Sequence, residues 1–215
     1  ILKIPYNVSK SDYPILLPYF NNYLSDAVDF ASIKKDKKLS KHIKKFIQEM
    51  HLTLVKQYGM TLKCIKNPTS EICLAAVSHI GNVLQYIKDP TPEMCLAAVA
   101  QNGEALQWIK EQTPEICLTA VTEYGEALQY VKDQTPEICL EAVTKDGMAL
   151  QYVKDQTPEI CLEAVKQNGH ALHYVNDQTE EICLESVKHD GKLLRYVKRQ
   201  THKICVEAIK KIMMH

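Results

Sequence analysis

A chain of 215 residues with 46% hydrophobic residues can bury a core, as one large domain or two small ones. Its 26 basic and 26 acidic side chains cancel, which argues against a whole-protein attraction to nucleic acid or to an anionic membrane. No apolar run approaches the roughly 20 residues of a membrane helix, and residues 1–30 lack the apolar stretch of a secretion signal.

Residues 1–38 show no repeat. Pro5, Pro14 and Pro18 interrupt them, and Tyr13, Tyr19, Phe20, Tyr23 and Phe30 supply aromatic anchors. The expectation is a small helical cap, with a domain boundary drawn at residues 1–48. Next, Ile43, Phe46, Ile47, Met50 and Leu54 fall at helical spacing. They predict a helix from about Ser40 to Tyr58 covering the first end of a repetitive region. Lys34, Lys35, Lys37, Lys38, Lys41, Lys44 and Lys45 make this end basic, which reads first as a solvated helix face.

From residue 49 to 212 the sequence repeats every 22 residues. Cys73, Cys95, Cys117, Cys139, Cys161, Cys183 and Cys205 keep that interval, as do seven glycines from Gly59 to Gly191 and seven threonines from Thr69 to Thr201. In one unit, Thr113 is a helix N-cap, Pro114 stands at the first helical position and Glu115 suits the positive end of the dipole. Gly125 is expected as a left-handed helix stop. A second, shorter helix is expected over residues 127–132. On a helical wheel Ile116, Cys117, Leu118, Ala120, Val121 and Tyr124 fill a wide apolar arc, and Ala127, Leu128 and Val131 point inward from the second helix. No unit can bury such an arc alone, so the units stack. The fold class is therefore all-α, an α-solenoid of 22-residue two-helix repeats with helical caps. A β-solenoid would need alternating apolar positions, which Ile-Cys-Leu-Glu-Ala-Val does not offer. In the last unit Met213 replaces the glycine, so its first helix is expected to run on and close the second end.

Chemistry is sparse. Equivalent cysteines in stacked helices lie roughly 8–10 Å apart, beyond disulfide reach, and a small thiol packs well in a core. Eight cysteines without a secretion signal fit a reducing compartment. Cys64 replaces the aromatic of its unit and is expected to be partly exposed. His170 and His173, with His189 in the next helix, could approach one metal ion but lack a clear fourth ligand. No metal, cofactor or catalytic site is expected, because no Gly-rich phosphate loop or nucleophile–His–acid motif is present and the carboxylates recur as ladders without a unique site.

Two ladders suit binding. One is Gln85, Gln107, Gln129 and Gln151, continued by His173 and Arg195; the other is Tyr86, Trp108, Tyr130, Tyr152, Tyr174 and Tyr196. A row of outward amides beside half-buried aromatics is a surface that takes peptides or partner helices. Recent duplication explains the sameness equally well. The residues after each glycine (Asn82, Glu104, Glu126, Met148, His170 and Lys192) vary and could carry specificity.

The segment from Ala164 to Tyr174, AVKQNGHALHY, resembles a tandem helical repeat family, of unassigned function, that is abundant in giant viruses infecting amoebae. The likeness recurs in every unit over about residues 49–212. This chain departs from it in its shorter unit, its Thr-Pro-Glu opening and its cysteine. The resemblance implies a helical interaction module and a viral protein, in host cytoplasm or a virion; without the viral origin a cytoplasmic site is expected. A weaker likeness is to leucine-rich-variant solenoids. The functional expectation is a non-enzymatic scaffold binding a protein or peptide on the second-helix face, with structural self-assembly as the alternative. Neither nucleic acid nor membrane is expected as a partner.

Overall fold

The computed structural model describes residues 37–214; of the cap expected over residues 1–38, residues 1–36, with Lys34 and Lys35, lie outside the described residues. All regular elements among them are helical, and they alternate strictly. Long helices are α1 (Lys37–Gln57), α2 (Ser70–His79), α3 (Pro92–Gln101), α4 (Pro114–Glu123), α5 (Pro136–Lys145), α6 (Pro158–Gln167), α7 (Glu180–His189) and α8 (His202–Met213). Between them lie six-residue 3-10 helices: η1 (Gly59–Cys64), η2 (Gly81–Tyr86), η3 (Gly103–Trp108), η4 (Gly125–Tyr130), η5 (Gly147–Tyr152), η6 (Gly169–Tyr174) and η7 (Gly191–Tyr196). This is an all-α solenoid of 22-residue helix pairs.

The chain forms two compact units, up to Ala97 and from Ala98 onward. In the first, α1 packs on α2 and η1 on η2. In the second, α4 to α8 pack each on the next, and η3 to η7 do likewise, giving two parallel rows.

Each long helix starts as its sequence demands. The Thr113 hydroxyl accepts the N–H of Ile116 at 3.3 Å, and Thr135, Thr157 and Thr179 cap α5, α6 and α7 in the same way. Such a cap contributes about 1 kcal/mol. The core recurs through the α4, α5 and α6 repeats of the second unit: Ile116, Cys117, Ala120 and Val121 from the long helix, Ala127 and Leu128 from the short one. In the α7 repeat Ser186 and Leu193 stand in place of the alanines and Leu194 is half-buried. Leu118 and its counterparts Leu140, Leu162 and Leu184 are half-buried rather than buried. They edge the outer face of the long helices, so the apolar arc is wider than the core it serves.

Two expectations are corrected. The second helix spans Gly125–Tyr130 rather than 127–132, starting at the glycine itself, and it is a 3-10 helix. Its side chains repeat every three residues, the 3-10 period: Gly125, Leu128 and Val131 are buried, while Gln129 and Lys132 are exposed. The glycines are not left-handed, since none of the described ones has positive φ. They are small because the next repeat touches them. A Cβ on Gly125 would stand 2.7 Å from the carbonyl oxygen of Ala142. Helix α8 runs to Met213 as expected, and on it Ile209 is 52% and Met213 81% exposed.

A glutamine ladder that the sequence did not announce ties the repeats of the second unit together. Gln112 donates through Nε2 to the carbonyl of Tyr130 (2.9 Å) and accepts through Oε1 from the N–H of Lys132 (3.0 Å). The same oxygen takes the Cys117 thiol at 3.8 Å. Gln134, Gln156 and Gln178 repeat the pattern. Each satisfies two backbone groups at the end of the following 3-10 helix, where no helical partner exists. In the first unit Pro68 occupies this position and has no amide to offer.

Candidate functional site

The two ladders singled out from the sequence lie on the short helices. In the second unit the outward positions of η3 to η7 are Gln107, Gln129, Gln151, His173 and Arg195, all exposed. Beside them stand Trp108, 43% exposed, and the half-buried Tyr130, Tyr152, Tyr174 and Tyr196. Because η3 to η7 pack side by side, these side chains form one row. Gln85 and Tyr86 take the same positions on η2 of the first unit, with Tyr86 46% exposed.

The glutamines have a local role as well. Gln85, Gln107 and Gln129 donate through Nε2 to the carbonyls of Asn82, Glu104 and Glu126, three residues earlier on the same short helix. Their amides are thereby held in place rather than swinging freely. The last two rungs change character. The His173 ring sits edge-on to Tyr174 at 5.3 Å and to Tyr196 at 5.5 Å, and the Arg195 guanidinium lies 4.7 Å over the Tyr196 ring. That end is a cationic and aromatic cluster, whereas the middle is neutral amide and aromatic.

The variable residues after each glycine flank the row. Asn102, Asp146, Asn168 and Asp190 accept the N–H of Glu104, Met148, His170 and Lys192, which fixes the entry to each short helix. In η4 the N-cap position is Tyr124, which makes no such bond; its hydroxyl donates instead to Glu126 Oε2 at 2.6 Å. The bond and burial push its pKa up to about 12, so it stays a neutral donor.

The opposite face offers shallow concavities. One, about 440 Å³, is lined by Pro136, Glu137, Leu140, Thr157 and Pro158 between α5 and α6. Another, about 420 Å³, lies instead at the entry to the short helices, lined by Gln101, Asn102, Glu104, Glu123 and Tyr124. Among the described residues no three of His, Cys, Asp and Glu converge to hold a metal ion, and His170 is exposed. No helix among them is long and apolar enough to cross a membrane. Burial pushes the thiols of Cys73, Cys95, Cys117, Cys139, Cys161 and Cys183 above their ordinary range. They pack within the core, and the shift disfavours their thiolate forms.

Fold and surface together define a helical repeat protein. Residues 113–156 and, one repeat later, residues 135–179 match a family described as a domain of unknown function (DUF4116). This agrees with the resemblance to a tandem repeat family of unassigned function. No curated protein and no solved structure matches the chain.

Proposed function

We propose that the chain is a non-enzymatic scaffold that holds a partner protein or peptide along the face lined by the 3-10 helices. The observation carrying this reading is Trp108, the chain's single tryptophan, left 43% exposed beside Gln107. The stack does not need it there, and large aromatics at a solvent face are the usual anchors of an interface. Gln129, Tyr130, Gln151, Tyr152, His173, Tyr174 and Arg195 extend the surface along the second unit, and Gln85 holds the same position in the first. Held amides favour main-chain partners, while the His173 and Arg195 end favours an acidic one. Repeated carboxylates and buried thiols supply no unique reactive centre, which supports binding over catalysis. The likeness to repeats of giant viruses extends the proposal to a viral protein in host cytoplasm or a virion.

A second reading, structural self-assembly, is favoured by the division of charge. Residues 1–66 carry 12 Lys against 5 acids, and residues 67–200 carry 20 acids against 11 basic side chains. Such ends and bodies attract between copies, most strongly at low salt.

The deciding experiment captures partners from lysate with the native chain and with a variant carrying Gln107→Glu, Gln129→Glu and Gln151→Glu. Captured proteins are identified by mass spectrometry and then titrated against Trp108 fluorescence. The scaffold reading expects a partner bound by the native chain, lost with the variant, and able to shift Trp108 emission. Equal capture by both, or recovery of only more copies of the chain, would refute it.

A further inference from the structure

At the C-terminal end the second unit exposes a side that its earlier repeats cover. Ile209 is 52% exposed, whereas Val143, Val165 and Val187 in the same repeat position are fully buried. Cys205 is half-buried where Cys139, Cys161 and Cys183 are buried. At 100° per residue Cys205, Val206, Ile209 and Met213 share one side of α8. Ile204 and Ala208, on the other side, remain buried against the preceding repeat. The open side is therefore the one that a following helix covers elsewhere in the stack.

The helices that cover it elsewhere have one design. They present Ile160 with Ala164, or Ile182 with Ser186, all buried. Glu159 with Glu163, or Glu181 with Glu185, stand at the rim, exposed or half-buried. At the open end the rim is reversed in charge. Residues 191–215 hold seven basic side chains against Glu207 alone, and residues 98–190 hold 17 acids against 6 basic side chains. Lys203 and Lys210 flank the apolar strip on one side, with Lys210 3.7 Å from Glu207 on the same helix.

We propose that the outer side of α8 is a docking face for an acidic amphipathic α-helix of a partner protein, built like the repeat's own long helix. The interface continues an established one: apolar side chains meet an Ile/Ala strip, and glutamates meet the lysine rim. Two copies of α8 facing each other would bring their lysines together, which disfavours a two-fold pair. The surface is distinct from the row on the 3-10 helices.

The probe is a fluorescent peptide of residues 157–167, held helical by a staple joining positions 162 and 166, titrated with the full chain and followed by anisotropy in reducing buffer. We expect saturable binding that weakens as salt rises from about 50 to about 300 mM. Ile209→Asp should weaken it about tenfold, as should Glu159→Lys with Glu163→Lys in the peptide. A chain carrying Lys203→Glu and Lys210→Glu should reverse the preference and take the lysine peptide better. That exchange reads the rim in a chain whose apolar strip is intact, so it does not depend on how well Ile209→Asp folds. Binding equal in all variants, or none up to about 1 mM peptide, overturns the proposal. So does concentration-dependent self-association in sedimentation velocity that Ile209→Asp abolishes, because the occupant is then a second copy. The Gln107, Gln129 and Gln151 variant should bind the peptide like the native chain, which keeps this result separate from the scaffold reading.

Discussion

Gln134 and Tyr152 are joined by a single bond of 2.9 Å, the glutamine Nε2 donating to the tyrosine main-chain carbonyl one repeat along. The glutamine oxygen meanwhile accepts the N–H of Lys154 at 3.0 Å. One side chain thus closes two backbone groups of its neighbour. Replacing it by leucine leaves both short of a partner, the Tyr152 carbonyl in a part-buried setting. Gln134→Leu should lower stability by about 1–3 kcal/mol, measured by urea denaturation, with faster amide exchange at Lys154. An unchanged midpoint would show that water serves those groups as well as the glutamine does.

This ladder also marks where the sequence stops speaking. The 22-residue period, the Thr caps and the inward Ile, Cys, Ala and Val positions are legible because they rest on local signals and apolar spacing. Gln112 and Gln134 are not, because their partners are main-chain groups one repeat away and leave no complementary residue type to find. The short helix is ambiguous for a different reason. Ala127, Leu128 and Val131 satisfy an α spacing of four, while Leu128 and Val131 alone satisfy the spacing of three that the structure adopts. The outward facing of Gln107, Trp108 and Gln129 agrees with either period. What they bind does not emerge from it, because an exposed amide is neutral toward its partner's identity.

Gly125 is the residue that local rules misjudge most. Its φ is ordinary, so alanine would suit the backbone, yet the new methyl would meet the Ala142 carbonyl oxygen, which belongs to the backbone of α5 and cannot swing away. Gly125→Ala should destabilise by about 1–3 kcal/mol through overpacking. Were the glycine only a flexible helix stop, the same substitution would stabilise slightly by restricting the unfolded chain. The sign of the change in urea midpoint separates the two.

The cysteines divide by burial. Cys73 to Cys183 are buried and their thiols are pushed up by desolvation, whereas Cys64 and Cys205 are half-buried. Native protein treated with a thiol reagent at neutral pH should therefore modify Cys64 and Cys205 well before the other six, with all eight reacting in denaturant. Peptide mapping by mass spectrometry identifies the sites. Early modification of Cys117 or Cys139 would mean that the second unit opens locally.

His51 stands in the position that Cys73 occupies one repeat later, and it fits less well. It is buried, its Nε2 has no hydrogen-bond partner among the described residues, and burial holds its pKa below the ordinary 6.5. The unfolded chain takes up a proton at about 6.5, the folded chain only at lower pH, so acid favours the unfolded form. The stability that neutral His51 allows is complete above 6.5 and declines as pH falls from there toward the folded pKa. His51→Cys restores the usual residue of the repeat and removes this proton. Urea denaturation at pH 7 and pH 5 should therefore show the native chain losing more stability than the variant. Equal losses would show that His51 is already solvated, or paired, in the folded state.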